Sequence, residues 1–321
     1  MKKTFLLLIL TIAIICNVSA RKFTTLKKTK SNSFCCLSEI MLATENTLNK
    51  NSVSIVPFSY NNRLISMKAG ITNDQDQHEF ILDSGAPTFL TDSMIKVHDL
   101  SEIKSETSYD ADGNEQKMSI YYIKTMEIGG KKIKNTSAVS SQNVSKMPLL
   151  KGHHYAGLLG ASAMKNNIWI INYHQHKLTL TDNIENIEIP KDALSAKMKT
   201  DELNRPAIDV NIDGKLNLTF IVDLGYNGSM LLPQKLLSKP LFNDSLSFSK
   251  NESLSTGFAS NVKQVEYKFL KNISIGNRNL ENVKASTTGK NCEALIGNEF
   301  LENYIVILDF INKRIIFLEV S

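Results

Sequence analysis

The chain has little of what staples a small scaffold or builds a metal site. It carries four cysteines in 321 residues. Cys16 falls in a leader expected to be removed, so Cys35, Cys36 and Cys292 remain, an odd number without zinc-ligand spacing. A disulfide framework is therefore not what holds the fold, and at least one thiol is free or paired between chains. A bridge between the neighbours Cys35 and Cys36 would be strained, and connectivity stays open. Charge of one sign is also in short supply. The net charge is +5, of which Lys2 and Lys3 supply two, leaving +3 after leader removal and giving no electrostatic footprint for nucleic acid. Long amphipathic helices are scarce. The one apolar run, Phe5 to Ile15, is too short for a confident membrane span. No Gly-x-Ser-x-Gly nucleophile motif stands between a strand and a helix, and His153-His154 reads as part of a polar surface loop.

What is present begins with Met1-Lys2-Lys3, the apolar run and Val18-Ser19-Ala20, which together predict a secretory signal cleaved after Ala20. An uncleaved anchor and a lipid-modified Cys16 are the lesser alternatives. Export places the protein in a periplasm, on a cell surface or outside the cell. Residues 21–53 are polar and modestly basic and read as a linker, a pro-segment, a tether or a short helix near Ser38 to Leu48, with a linker preferred. From there on, 42% hydrophobic and 21% charged residues overall are enough for a sizeable core.

The periodicity after residue 53 is that of strands. Ile65, Met67, Ala69 and Ile71 alternate with their neighbours, as do Ile208, Val210 and Ile212. Asp112-Gly113, Gly129-Gly130, Asp213-Gly214 and Gly276-Asn277 mark hairpin turns. The most informative feature is an internal repeat. Phe80-Ile81-Leu82-Asp83-Ser84-Gly85 corresponds to Phe220-Ile221-Val222-Asp223-Leu224-Gly225, 140 residues later. Gly157-Leu158-Leu159-Gly160 corresponds to Ala294-Leu295-Ile296-Gly297, with the two terminal glycines 137 apart, and Ile168–Tyr173 matches Ile305–Phe310 at the same offset. A period this long predicts two similar lobes, 54–190 and 191–321, rather than a solenoid.

One aspartate before a glycine at a strand end is an ordinary turn residue. Two of them in equivalent places of a duplicated unit imply that a pseudo-twofold axis brings both to the interface between lobes. Like charges that close cannot both ionise easily, so Asp83 and Asp223 are expected to hold one proton between them. The ionised carboxyl would accept a proton from an attacking water while its partner donates to a carbonyl oxygen. This chemistry calls for no metal and no cofactor.

Asp83-Ser84-Gly85-Ala86, the Leu158-Leu159-Gly160 block and their second-lobe echoes resemble the pepsin and retropepsin superfamily of aspartic peptidases. The likeness is nearest to an exported bacterial branch with both lobes on one chain, and it covers roughly Ser54 to Ser321. The resemblance implies an all-β fold of two β-barrel-like lobes with a cleft between them, catalytic Asp83 and Asp223, and a peptide or protein substrate. It also implies supporting roles for Ser84, Gly85, Leu224, Gly225, Gly160 and Gly297, and flap hairpins whose tips fall at Tyr109–Asn114, including Gly113, and at 256–260. In that family a hydroxyl follows each aspartate and bonds across to the other lobe's loop. Ser84 has one, whereas Leu224 does not, which raises a catalytically inactive peptide-binding module as the alternative and a tethered envelope protein as a weaker one. Ala86 and Tyr226 stand where a pepsin-like enzyme has a hydroxyl donor to the outer carboxylate oxygen, so the pair is expected to titrate higher than in a gastric enzyme. Oligomeric state is left open.

Overall fold

The computed structural model describes residues 52–71, 76–109, 115–141, 154–237, 249–255, 262–287 and 293–320, together with short strands at Leu6–Leu8 and Glu45–Asn46. The first half contains β1 (Val53–Asn61), β2 (Leu64–Ile71), β3 (His78–Asp83), β4 (Phe89–Leu90), α1 (Asp92–Val97), β5 (Glu102–Tyr109), β6 (Glu115–Ile128), β7 (Lys131–Ser141), β8 (Tyr155–Gly160), α2 (Ala161–Met164), β9 (Ile168–Asn172) and β10 (Lys177–Thr181). The second half repeats this order as β11 (Leu194–Lys197), β12 (Lys199–Thr200), β13 (Pro206–Ile212), β14 (Leu216–Val222), β15 (Met230–Leu231), α3 (Gln234–Leu237), β16 (Ser249–Ser255), β17 (Val262–Ile275), β18 (Arg278–Thr287), β19 (Leu295–Ile296), α4 (Asn298–Leu301), β20 (Tyr304–Asp309) and β21 (Arg314–Glu319). The described helices are at most six residues long, and among the described residues none is long and apolar enough to cross a membrane.

The molecule is all-β, with two closed six-stranded barrels. In the first lobe the strands run β2-β3-β8-β4-β7-β6, and β2 pairs back onto β6. In the second they run β13-β14-β19-β15-β18-β17, and β13 pairs back onto β17. Closure leaves no free edges within the barrels. The alternation read from sequence is clean in β13, where Ile208, Val210 and Ile212 are buried and Asp209 is exposed. It is weaker in β2, because Ser66 on the opposite face is also buried, where it bonds Glu79.

A six-stranded sheet, β11-β21-β20-β9-β10-β1, fastens the lobes together. At its centre β9 and β20 pair antiparallel with Ile170 opposite Ile307. These two residues are equivalents in the repeat, so the pseudo-twofold axis passes between them. Trp169 beside the axis is fully buried and its indole N–H donates to the Met164 carbonyl at 3.0 Å. Hydrophobic residues from both lobes form one continuous core against one face of this sheet, and Ile168, Ile307 and Ile316 form a smaller cluster on the other.

Within the segment read as a linker or pro-segment, Glu45–Asn46 forms a two-residue strand paired with Ile133 and Lys134. The strands flanking the expected flap tips pair antiparallel in both lobes, as β5–β6 and β16–β17. Their tips, including Gly113 and 256–260, lie outside the described residues, as do Cys35, Cys36, Cys292 and His153.

Candidate functional site

Asp83 and Asp223 meet where the two barrels face each other. Each ends or follows the strand that lies parallel to the apolar-apolar-Gly strand of its own lobe. Leu82 and Asp83 stand beside Leu159 and Gly160, and Ile221 and Val222 stand beside Leu295 and Ile296. The Asp223 N–H donates to the Ile296 carbonyl at 2.8 Å, which fixes the loop at its root. Both carboxyl groups are fully buried, and each lies against the glycine of the other lobe's motif loop.

Gly85 and Gly225 make that approach possible. A methyl group placed on Gly85 would sit 2.3 Å from the Asp223 Cγ, and one on Gly225 would sit 2.4 Å from the Asp83 Cγ. Both distances are far inside van der Waals contact, so any side chain at either position would push the opposing carboxylate away. The requirement is reciprocal: each lobe's glycine makes room for the other lobe's aspartate.

The inner oxygens accept backbone donors. Asp83 Oδ1 takes the Gly85 N–H at 3.0 Å and Asp223 Oδ1 takes the Gly225 N–H at 2.8 Å. The outer Oδ2 atoms accept nothing among the described residues. Ala86 has no hydroxyl to offer, and the Tyr226 hydroxyl meets Ser286 Oγ at 2.8 Å instead. Burial and the neighbouring carboxylate push Asp83 well above the ordinary aspartate range, and burial lifts Asp223 to about 6. The missing outer donor is consistent with that rise, because nothing there favours the charged form.

Ser84 lies at the boundary between the lobes and is fully buried. Its Oγ accepts the Leu224 N–H at 2.9 Å and donates to the Val222 carbonyl at 2.7 Å, both across the lobe boundary. Leu224 is fully buried and returns no side-chain hydrogen bond. Gly160 and Gly297 cap the short helices α2 and α4, but they are held differently. The Gly160 N–H is taken by Thr88 Oγ1, itself bonded to Ser162, whereas Gly297 lies against the ring of Tyr226 and donates to the Ser229 carbonyl. Tyr109 closes β5 at the base of the first hairpin tip.

Three further residues were not singled out from sequence. Arg205, almost fully buried, forms a two-pronged pair with Glu293 at 2.7 and 2.8 Å and bonds Asp201 at 2.6 Å. Its charge acts on both aspartates, lowering their values against the stronger rise from burial. Asn298, also fully buried, donates to the Leu224 and Arg63 carbonyls at 2.7 Å each and accepts from the Tyr173 hydroxyl at 2.7 Å. The available signal was the recurrence of Asn62-Arg63 as Asn204-Arg205 at 142 residues, one more match in the repeat. In the first copy Arg63 reaches into the second lobe, pairing Glu302 at 3.0 Å and Glu299 at 3.4 Å.

No model of a known protein family matches this chain, and no curated protein is similar enough to count as a relative. The geometry must therefore carry the functional argument. Two facing, fully buried carboxyl groups, each with an Oδ2 that accepts nothing among the described residues, resist ionising together, which favours a state with one proton between them.

Proposed function

We propose that the protein is an exported aspartic endopeptidase whose lobes bind an extended peptide segment between them, with Asp83 and Asp223 as the catalytic pair. The observation that carries the reading is the reciprocal contact of each aspartate with the other lobe's Asp-x-Gly glycine. Turn-forming aspartates have no reason to face each other across a duplicated interface with both charges buried, since burial without a function or a partner is costly.

In this mechanism the monoprotonated pair binds a water. The ionised carboxylate takes a proton from it as its oxygen attacks the peptide carbonyl carbon, and the protonated partner donates to the carbonyl oxygen. A neutral tetrahedral diol results. Its collapse breaks the C–N bond as the carboxyl that took the water's proton gives it to the nitrogen and the other carboxylate takes the proton of one diol hydroxyl, which re-forms the carbonyl and leaves the pair again with one proton. Ser84, by bonding both Leu224 N–H and Val222 C=O, holds the two motif loops in the spacing this exchange needs.

The second reading, an inactive peptide-binding module of the same fold, is favoured by one observation: Leu224 supplies no reciprocal hydroxyl. The test compares the purified mature chain with Asp83→Asn and Asp223→Asn on a mixed peptide library. Cleavage by the wild type that both variants lose supports the peptidase. Equal cutting by all three eliminates the pair as the catalyst. Binding of peptides without any cleavage assigns the module.

A further inference from the structure

The interface of the two motif loops is asymmetric, and the asymmetry is filled. Ser84 ties the second-lobe loop to the first lobe through Leu224 N–H and Val222 C=O. A symmetric partner at position 224 would return the favour, but leucine cannot. The residue after the second apolar-apolar-Gly motif reaches the same loop from another side. Asn298 spends both amide hydrogens on carbonyls, one from Leu224 in the second-lobe motif loop and one from Arg63 in the first lobe. Its oxygen is fixed by the hydroxyl of Tyr173, again from the first lobe. The equivalent first-lobe position is Ala161, which has no side-chain amide to do this. Its backbone alone takes part, donating to the Ala86 carbonyl at 2.8 Å and accepting from Asn204 Nδ2 at 3.1 Å.

We infer that Asn298, oriented by Tyr173, is a positioning residue that replaces the missing second hydroxyl and holds the Asp223 loop at its working distance from Asp83. This rests on the proposed peptidase reading for its catalytic consequence, although the geometric claim stands on the contacts alone. Asn298 is fully buried and all three of its bonds are 2.7 Å. Removing the amide frees the Leu224 carbonyl one residue from Asp223, and a shift of an ångström there is enough to lower turnover about 10²-fold.

The test uses the full mature chain and four variants: Asn298→Ala, Tyr173→Phe, Leu224→Thr and the double Asn298→Ala/Leu224→Thr. Asn298→Ala is expected to lower kcat on a cleaved peptide by about 10–100-fold with KM nearly unchanged. Tyr173→Phe, which keeps the ring and its packing, is expected to give a smaller loss in the same direction. Threonine at 224 supplies the absent hydroxyl, so the double variant is expected to recover most of the kcat lost by Asn298→Ala. A second readout does not need activity: carbon-13 carboxyl titration of the two aspartates, whose separation into two steps reports their distance. Arg205, the charged neighbour that acts on both, is unaltered in every variant. Asn298→Ala is expected to draw the two steps together and the double variant to part them again. If Asn298→Ala does not fold, the same two readouts on Tyr173→Phe and Leu224→Thr/Tyr173→Phe decide. Loss of stability with kcat, the titration steps and the rescue all unaffected would overturn the inference and leave Asn298 as packing. Failure of the wild type to cleave any peptide, with the titration pattern as expected, would remove the peptidase reading and keep the latch.

Discussion

The buried pair makes folding stability depend on pH in an unusual direction. An aspartate in the unfolded chain loses its proton near 3.8, whereas in the folded chain burial lifts Asp223 to about 6, and burial together with the neighbouring carboxylate holds Asp83 well above the ordinary range. Between those values the native state holds protons that the unfolded state has released, so stability falls as pH rises. Below about pH 4 the contribution is fully present, and it is lost as pH climbs through 6 and beyond. For Asp223 alone the difference corresponds to about 3 kcal/mol at pH 7, and Asp83 adds to it. Replacing both aspartates by asparagine removes the titration while keeping nearly the same volume. The measurement is a set of denaturant-unfolding curves at pH 4, 5, 6, 7 and 8 for the wild type and the double variant. The stability of the variant minus that of the wild type is expected to grow by at least about 3 kcal/mol between pH 4 and pH 8. Taking the difference cancels other groups, including Asp209, whose pairing with Lys199 and Thr219 gives a slope of opposite sign. Parallel curves would show that the two carboxyls are not held protonated by burial and mutual repulsion, and the site argument would fall with them.

Ser84→Ala leaves the Leu224 N–H and Val222 C=O buried without their partner, an expected loss of about 2–4 kcal/mol by chemical denaturation; a loss under about 0.5 kcal/mol would contradict the cross-lobe role. Gly225→Ala drives a methyl into the Asp83 carboxyl and is expected to reduce cleavage about 10²-fold or more while the barrels still fold, checked by turnover alongside circular dichroism. Arg205→Met strips Glu293 and Asp201 of their shared partner and removes a positive charge that acts on both aspartates. It is expected to destabilise the fold by about 3 kcal/mol and to move the acid limb of the pH–rate profile to higher pH. For the wild type, cleavage is expected to rise as the first proton leaves near pH 6 and to fall as the second leaves at higher pH. A maximum below about pH 3 would refute the raised values.

Much of the architecture was legible because duplication writes itself twice. The strand-end aspartates, the apolar-apolar-Gly blocks and the hairpins recur at nearly constant offsets, and a repeat of that length has few ways to pack other than about a twofold axis. The prediction of two lobes met face to face follows from this, and the pairing of Ile170 with its own equivalent Ile307 is its structural counterpart. The residues that were missed act through groups a sequence does not display. Asn298 binds main-chain carbonyls of Leu224 and Arg63, and a carbonyl exists at every position, so nothing in the residue types announces the contact. Arg205 meets Glu293 across 88 positions, brought together because the strands that follow them, β13 and β19, both pair with β14. Tyr226 was read by what it lacks, a hydroxyl near the outer carboxylate oxygen. Its actual use is to fill the space beneath Gly228 and Gly297, where a Cβ on either would strike its ring or hydroxyl.

The departures from symmetry lie around the pair and leave its nearest donors alike. Each aspartate accepts one backbone N–H in the same way, Gly85 to Asp83 Oδ1 and Gly225 to Asp223 Oδ1, and each Oδ2 accepts nothing among the described residues. The shared proton therefore belongs to the pair, and under the proposed mechanism either carboxyl can serve as base while the other serves as acid. What differs is how the two motif loops are held. The Asp223 loop is reached by the Ser84 hydroxyl from the first lobe and by the Asn298 amide from its own lobe, and Asn298 is in turn tied to the first lobe through the Arg63 carbonyl and the Tyr173 hydroxyl. The substitution of leucine at position 224 thus falls on the copy of the motif whose geometry is secured from elsewhere.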